Sequence, residues 1–215
     1  MTLDEYVAWA AGVGERRHAA VPEDRARLEI ALGFASEIGE VAGVLTKWLR
    51  DGEGRPDQLK RDRLADELGD VAYYWARLSV VTGLRSSALL AQSRAHTEWR
   101  RAGRPAGGPA PGAAAMALDE YTAWAVAADG AGPADRPDAQ SLGDVALALV
   151  GDAGELDECL RRLTRDGDWE RERLAGELGD VWRYWTRLCV ATSVTPAELL
   201  ARSRAKIEAR LGATP

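Results

Sequence analysis

The chain is poor in the residues that most quickly mark a protein's class. It has two cysteines, Cys159 and Cys189, and two histidines, His18 and His96, among 215 residues. Two thiols within helix-patterned segments read as buried side chains and exclude a disulfide framework. A basic excess is also missing, since the formal net charge is −6. A duplex-DNA binder carries positive charge against the phosphates, so nucleic acid is not expected as a partner. No uninterrupted apolar run approaches the roughly 20 residues of a membrane span, so no membrane association is expected. Residues 1–9 lack the basic region and apolar core of a secretory signal, and the expected setting is the cytoplasm.

What is present is ordinary in bulk. Apolar residues make up 46% and charged residues 29%, a globular balance. The length suits one large domain or two of about 100 residues each. An acidic protein that handles phosphates needs a divalent cation to bridge like charges.

The chain repeats itself. Residues 1–10 read MTLDEYVAWA and residues 116–125 read MALDEYTAWA, with eight of ten identical. Residues 63–82 (RLADELGDVAYYWARLSVVT) match residues 173–192 (RLAGELGDVWRYWTRLCVAT) at fourteen of twenty positions. LLAQSRA at 89–95 returns as LLARSRA at 199–205. Between the copies lies a stretch of Ala, Gly and Pro with nothing to bury, which reads as a linker. The expected division is 1–101, a linker at 102–115, and 116–215.

Each copy reads as four helices, with no alternating strand pattern. In the first copy they run from about Leu3 to Ala11, Asp24 to Arg50, Asp57 to Val81 and Ser87 to Arg101. Asp51-Gly52 stops the second, and Gly83 stops the third with a left-handed residue. Thr195-Pro196-Ala197-Glu198 is a capping box with proline at the first helical position, opening the last helix. Each copy alone would expose an apolar stripe, and two together would hide it in a helical bundle.

The chemistry-bearing residues are carboxylates. Glu37-Ile38-Gly39-Glu40 stands on the second helix and Glu67-Leu68-Gly69-Asp70 on the third. A spacing of three puts both acids of a pair on one helical face, where like charges repel unless a cation lies between them. Two such pairs on neighbouring helices would bring four carboxylates together, a hard-oxygen set suited to Mg²⁺ or Mn²⁺. Lys47 follows Glu40 by two turns, Tyr74 follows Glu67, and Arg77 follows Asp70. A cluster flanked by such cations can hold a metal and then phosphates. A lone ExxE is usually a solvated face. Here the pairs lie inside apolar segments, on two helices, and recur as Asp152/Glu155 and Glu177/Asp180. Gly33, Gly39, Gly43 and Gly69 sit within helices at a cost of about 1 kcal/mol each relative to alanine. Close helix packing and room for a ligand are both consistent with them.

These residues resemble the MazG-like, all-α nucleoside triphosphate pyrophosphohydrolases, whose pattern is ExxE, a spacer, then ExxD. The segments GFASEIGEVAGVLTKWLRDG and LADELGDVAYYWARL look like that family's core helices, and the resemblance covers nearly all of each copy outside the linker. It implies an all-α fold of two homologous four-helix units forming an intrachain pseudo-dimeric bundle, with a further homodimer open. It implies Mg²⁺ held by Glu37, Glu40, Glu67 and Asp70, and a nucleoside triphosphate cut between its α and β phosphates. Glu37 or Glu40 would then position or deprotonate the attacking water. Trp48, Tyr74 and Trp75 are aromatic candidates beside it, with core packing an equal reading for Trp75. The family's Asn and Lys on the last helix correspond to Ser93 and His96 in the first copy and to Ser203 and Lys206 in the second. Lys206 is therefore expected to complete the first site across the two copies.

The second copy departs from the pattern: Asp152 replaces a glutamate, Arg162 stands for Lys47 and Leu163 for Trp48. Asp152/Glu155/Glu177/Asp180 is accordingly the less complete set. The departures keep open a nucleotide-binding or regulatory module of the same fold with weak or no catalysis. A di-iron carboxylate bundle needs ExxH spacing, which neither histidine provides. His18, in GERRHAAVPED, reads as a solvated loop residue. Arg94, Arg100, Arg101 and Arg104 read as a solvated helix end.

Overall fold

The computed structural model describes residues 1–51, 58–106, 108, 115–128, 139–167 and 170–212. All regular structure among them is helical: α1 (Leu3–His18), α2 (Glu23–Asp51), α3 (Gln58–Val81), α4 (Ser86–Arg101), α5 (Leu118–Ala128), α6 (Ala139–Asp166), α7 (Arg171–Thr192) and α8 (Pro196–Gly212). The all-α reading holds. The expected linker lies partly outside the described residues, at 107 and 109–114, as does the loop after Asp51, at 52–57. No described helix is long and apolar enough to cross a membrane. Both cysteines are buried free thiols.

Local chemistry explains several helix ends. Thr2 and Glu5 form a reciprocal capping box on α1, with the Glu5 N–H donating to Thr2 Oγ1 at 3.2 Å and the Thr2 N–H to Glu5 Oε2 at 2.7 Å. Thr195 and Glu198 do the same for α8 at 3.2 and 3.0 Å. α3 stops at Gly83, whose φ of +62° costs glycine little. The Gly83 N–H donates to Val80 O and the Leu84 N–H to Ser79 O, a Schellman closure. Ser193 occupies the matching place after α7, also at φ +62°.

One boundary differs from the sequence reading. α1 continues past Ala11 to His18, through Gly12 and Gly14. Arg16, Arg17 and His18 favour its last turn by facing the negative end of the helix dipole. Gly14 is occupied from outside: a Cβ there would lie 2.3 Å from Arg77 Cζ.

Helices α2 and α3 pack together, as do α6 and α7, and α2 lies along α6. The shorter helices cross over. α8 rests on α3 and α1, and α4 rests on α7 and α5. At the centre, Trp75 packs tilted against Trp182 with ring centroids 4.2 Å apart, and Trp182 stacks on Trp185 at 4.1 Å. The indole N–H groups then reach across: Trp75 Nε1 donates to Leu178 O at 2.9 Å, and Trp185 Nε1 to Leu68 O at 2.8 Å. Leu68 and Leu178 are the second residues of the two ELGD motifs, so the core grips the backbone that carries the acids.

Candidate metal centre

Helix α2 contributes Glu37, and α3 contributes Glu67 and Asp70. One carboxylate oxygen from each lies within 4.8 Å of the others. Asp70 is 9% exposed, and the two glutamates are half-buried. Glu40 is exposed and stands outside this group of three. The expected convergence of four acids is thus three, with the fourth at the open edge. An octahedral Mg²⁺ with bonds of about 2.1 Å sets its ligand oxygens roughly 3 to 4 Å apart. The cluster is within side-chain adjustment of that spacing, and its hard-oxygen donors fit such an ion.

The electrostatics reflect crowding. Burial, then the charges of Asp70, Glu40 and Glu67, push the Glu37 carboxyl up to about 7, against the pull of Lys206. Burial and then Glu40 raise Glu67 as well. Each proton held there is one that a divalent cation would displace.

The other half of the chain secures this stretch of α3. Lys206 Nζ, on α8, donates to Asp70 Oδ2 at 2.5 Å. Ser203 Oγ donates to Gly69 O at 2.8 Å and meets the buried Tyr6 hydroxyl at 2.8 Å. A Cβ on Gly69 would stand 3.1 Å from the Ser203 Cβ, so this glycine serves close helix packing. With Trp185 on Leu68 O, two successive carbonyls of the motif carry a donor from the other half of the chain.

The remaining expected residues divide. Tyr74 is half-buried, and after burial the charge of Glu37 is the next cause raising its hydroxyl's pKa. Its ring fills the niche of Gly33, where a Cβ would lie 2.2 Å away. Gly39 and Gly43 have no neighbour within 4 Å, which leaves that side of α2 open. Lys47 is exposed. Trp48 is 3% exposed and belongs to the core. Arg77 is 4% exposed. Its guanidinium donates to Tyr73 Oη at 3.2 Å and to His18 Nδ1 at 2.9 Å. Arg77 is therefore occupied by α1, and its heptad spacing from Asp70 did not foretell that. His18 is no solvated loop residue. It ends α1 with 11% of its side chain exposed. Because arginine only donates, His18 Nδ1 accepts and its proton sits on Nε2, 3.2 Å from Glu29 Oε2.

The second acid set is built differently. Asp152 is pushed up to about 6 by burial and Asp180, and Glu177 up to about 7 by burial and Glu155. Glu155 is exposed, as Glu40 is. Ser93 Oγ donates to Gly179 O at 3.0 Å and meets Tyr121 Oη at 2.8 Å, mirroring Ser203 and Tyr6. The cation on Asp180, however, is Arg100, whose Nη2 donates to Oδ1 at 2.7 Å. His96, at the position matching Lys206, instead lies edge-on to Trp99 with centroids 6.0 Å apart. Arg100 is thus not simply part of a solvated helix end. The sequence comparison missed it because it acts from one turn beyond the matching position. Among the described residues, Glu37/Glu67/Asp70 is the one group that gathers three such ligand atoms within 4.8 Å.

A separate carboxylate carries a prediction. Asp157, where the first copy has Ala42, has one buried oxygen with no hydrogen-bond partner among the described residues. Burial pushes it up to about 6. A carboxyl raised on folding contributes stability below its unfolded pKa, near 4, and that contribution is lost as pH rises through 6. Asp157→Ala is expected to stabilise the protein at pH 8 by about 1 kcal/mol after allowance for solvent screening. That is roughly 2–4 °C in thermal melts. The gain should vanish at pH 4, and an equal gain at both values would assign it to helix propensity instead.

No protein-family model matches the chain, and no solved structure does. Gene 37 protein of Mycobacterium phage L5 is 44% identical over 50 residues, which is 23% of this chain and 44% of that protein. The match therefore spans less than half of the relative's length.

Proposed function

We propose that the chain is an Mg²⁺-dependent nucleoside triphosphate pyrophosphohydrolase of the MazG-like kind, yielding a nucleoside monophosphate and pyrophosphate. The observation that carries this reading is the convergence of Glu37, Glu67 and Asp70 from two helices with Lys206 at their edge. On this reading residues 1–101 and 116–215 are homologous four-helix units forming a pseudo-dimer within one chain, in the cytoplasm.

Glu37, Glu67 and Asp70 would hold the cation, with Glu40 at the open edge. Bound Mg²⁺ or Mn²⁺ supplies charge neutralisation and a water of lowered pKa. Glu37 or Glu40 would orient the attacking water and take its proton. Lys206 and Lys47 offer positive charge to the phosphates, Lys206 by leaving Asp70 for a phosphate oxygen. Tyr74, seated over Gly33 beside Glu37, walls the site. Trp48 and Arg77, both buried, support it from within.

The test is a screen of common and modified nucleoside triphosphates with Mg²⁺, measuring pyrophosphate and monophosphate separately. Glu40→Gln is expected to lower pyrophosphate release at least tenfold, as the loss of a single general base does. Full activity in both Glu40→Gln and Asp70→Asn would sink the reading. Nucleotide binding in calorimetry with no product over hours would make the chain a nucleotide-binding module instead.

A further inference from the structure

We propose that Arg100 takes the place of a metal ion in the second acid set, so that the chain binds divalent cations at Glu37/Glu67/Asp70 alone. The inference rests on the metal-dependent reading above and separates two sites that the repeated motif makes look equivalent.

Three observations carry it. First, Arg100 crosses from α4 to α7 and holds Asp180 at 2.7 Å, with 37% of the arginine side chain and 13% of the aspartate exposed. Its charge is also felt by Asp152, the acid that faces Asp180 from α6. A guanidinium is always charged, planar and weakly hydrated, which suits a lasting pair with a partly buried carboxylate. Lys206 on Asp70 is a compact, strongly hydrated ammonium on a flexible stem, better suited to change partners. Second, the set has a further cation. Position 183 on α7 is arginine where α3 has Tyr73, and the Arg183 charge also lowers Asp152. Its guanidinium carbon lies 4.1 Å from the Tyr184 ring centroid, alongside the set. Arg173 near Glu177 (3.9 Å) only repeats Arg63 near Glu67 (3.8 Å), so it does not distinguish the two. Third, among the described residues the acids converge in one set only, Glu37/Glu67/Asp70. Asp152 stands where the first set has Glu37.

The consequence is a division of labour. The first set is gathered, and its paired cation is a lysine on a flexible stem that can move aside for a metal ion. The second is neutralised from within and braces α4 against α7.

The test is Mn²⁺ binding to the full chain at pH 8, read from the free-ion signal in electron paramagnetic resonance. Asp70→Asn is expected to weaken Mn²⁺ binding at least tenfold, and Asp180→Asn to leave it unchanged. Arg100→Met, checked for folding by its thermal melt, is expected to gain Mn²⁺ binding that is lost again in Arg100→Met/Asp180→Asn. Loss of bound Mn²⁺ in Asp180→Asn alone would overturn the proposal while leaving the metal-dependent reading intact. So would a folded Arg100→Met that gains none. No Mn²⁺ bound by the unaltered chain would overturn both.

Discussion

Asp70→Asn is expected to lower Mg²⁺-dependent pyrophosphate release by at least about a hundredfold while leaving the helical fold in place. The substitution keeps the shape of the side chain and removes its charge. It takes one of three converging oxygens out of the anionic set. It also releases Lys206, whose ammonium is paired with Asp70 at 2.5 Å. The two effects can be separated. Lys206→Ala alone should cost about tenfold, the scale of a lost contact beside a metal. The double variant should be no worse than Asp70→Asn, because residues in one ion-pair network are not additive. Initial rates across a Mg²⁺ titration, with melting curves for each variant, decide it. Activity of Asp70→Asn within twofold of the unaltered chain would remove Asp70 from the reaction. Additive losses in the double variant would mean that Lys206 acts apart from Asp70.

The acid face of this site was legible in sequence because helical spacing is local. Glu67 and Asp70 share a face wherever α3 goes, and the apolar residues around them marked that face as half-buried. That Glu40 would stand at the edge was not legible, since it depends on how α2 is rotated against α3. The glycines were ambiguous for the same reason. Gly69 is set against Ser203 and Gly33 against the Tyr74 ring, whereas Gly39 and Gly43 look onto open space. Nothing in their immediate neighbours distinguishes these cases. Lys206 could be nominated because the family resemblance expects a lysine at that place on the last helix. Arg100 could not, because it reaches Asp180 from one turn beyond the matching position. The same limit applied to Arg77. Spacing put it two turns from Asp70, but tertiary contact with His18 and Tyr73 decided where its charge is used. The end of α1 was misjudged because glycine's weak helix propensity was outweighed by the packing of Arg77 over Gly14.

Trp75→Ala is expected to lower the melting temperature by about 10 °C. Truncating a buried tryptophan costs about 3–5 kcal/mol, and each kcal/mol is worth roughly 2–4 °C in a protein of this size. Trp75 is fully buried, packs against the Trp182 ring, and satisfies its indole N–H on Leu178 O. Trp185 makes the reciprocal bond to Leu68 O, so Trp185→Ala should cost a similar amount. Trp75→Phe keeps most of the ring burial and loses the N–H donor, for a cost nearer 1 kcal/mol. Because Leu68 and Leu178 lie inside the two ELGD motifs, the effect should reach the acids as well as the core. Trp185→Ala should weaken Mn²⁺ binding at Glu37/Glu67/Asp70 at temperatures well below its own melt. Unchanged Mn²⁺ binding in a destabilised Trp185→Ala would confine the indole junction to stability. A weakened ion in a folded variant would make that junction the link through which each half of the chain shapes the other's acid set.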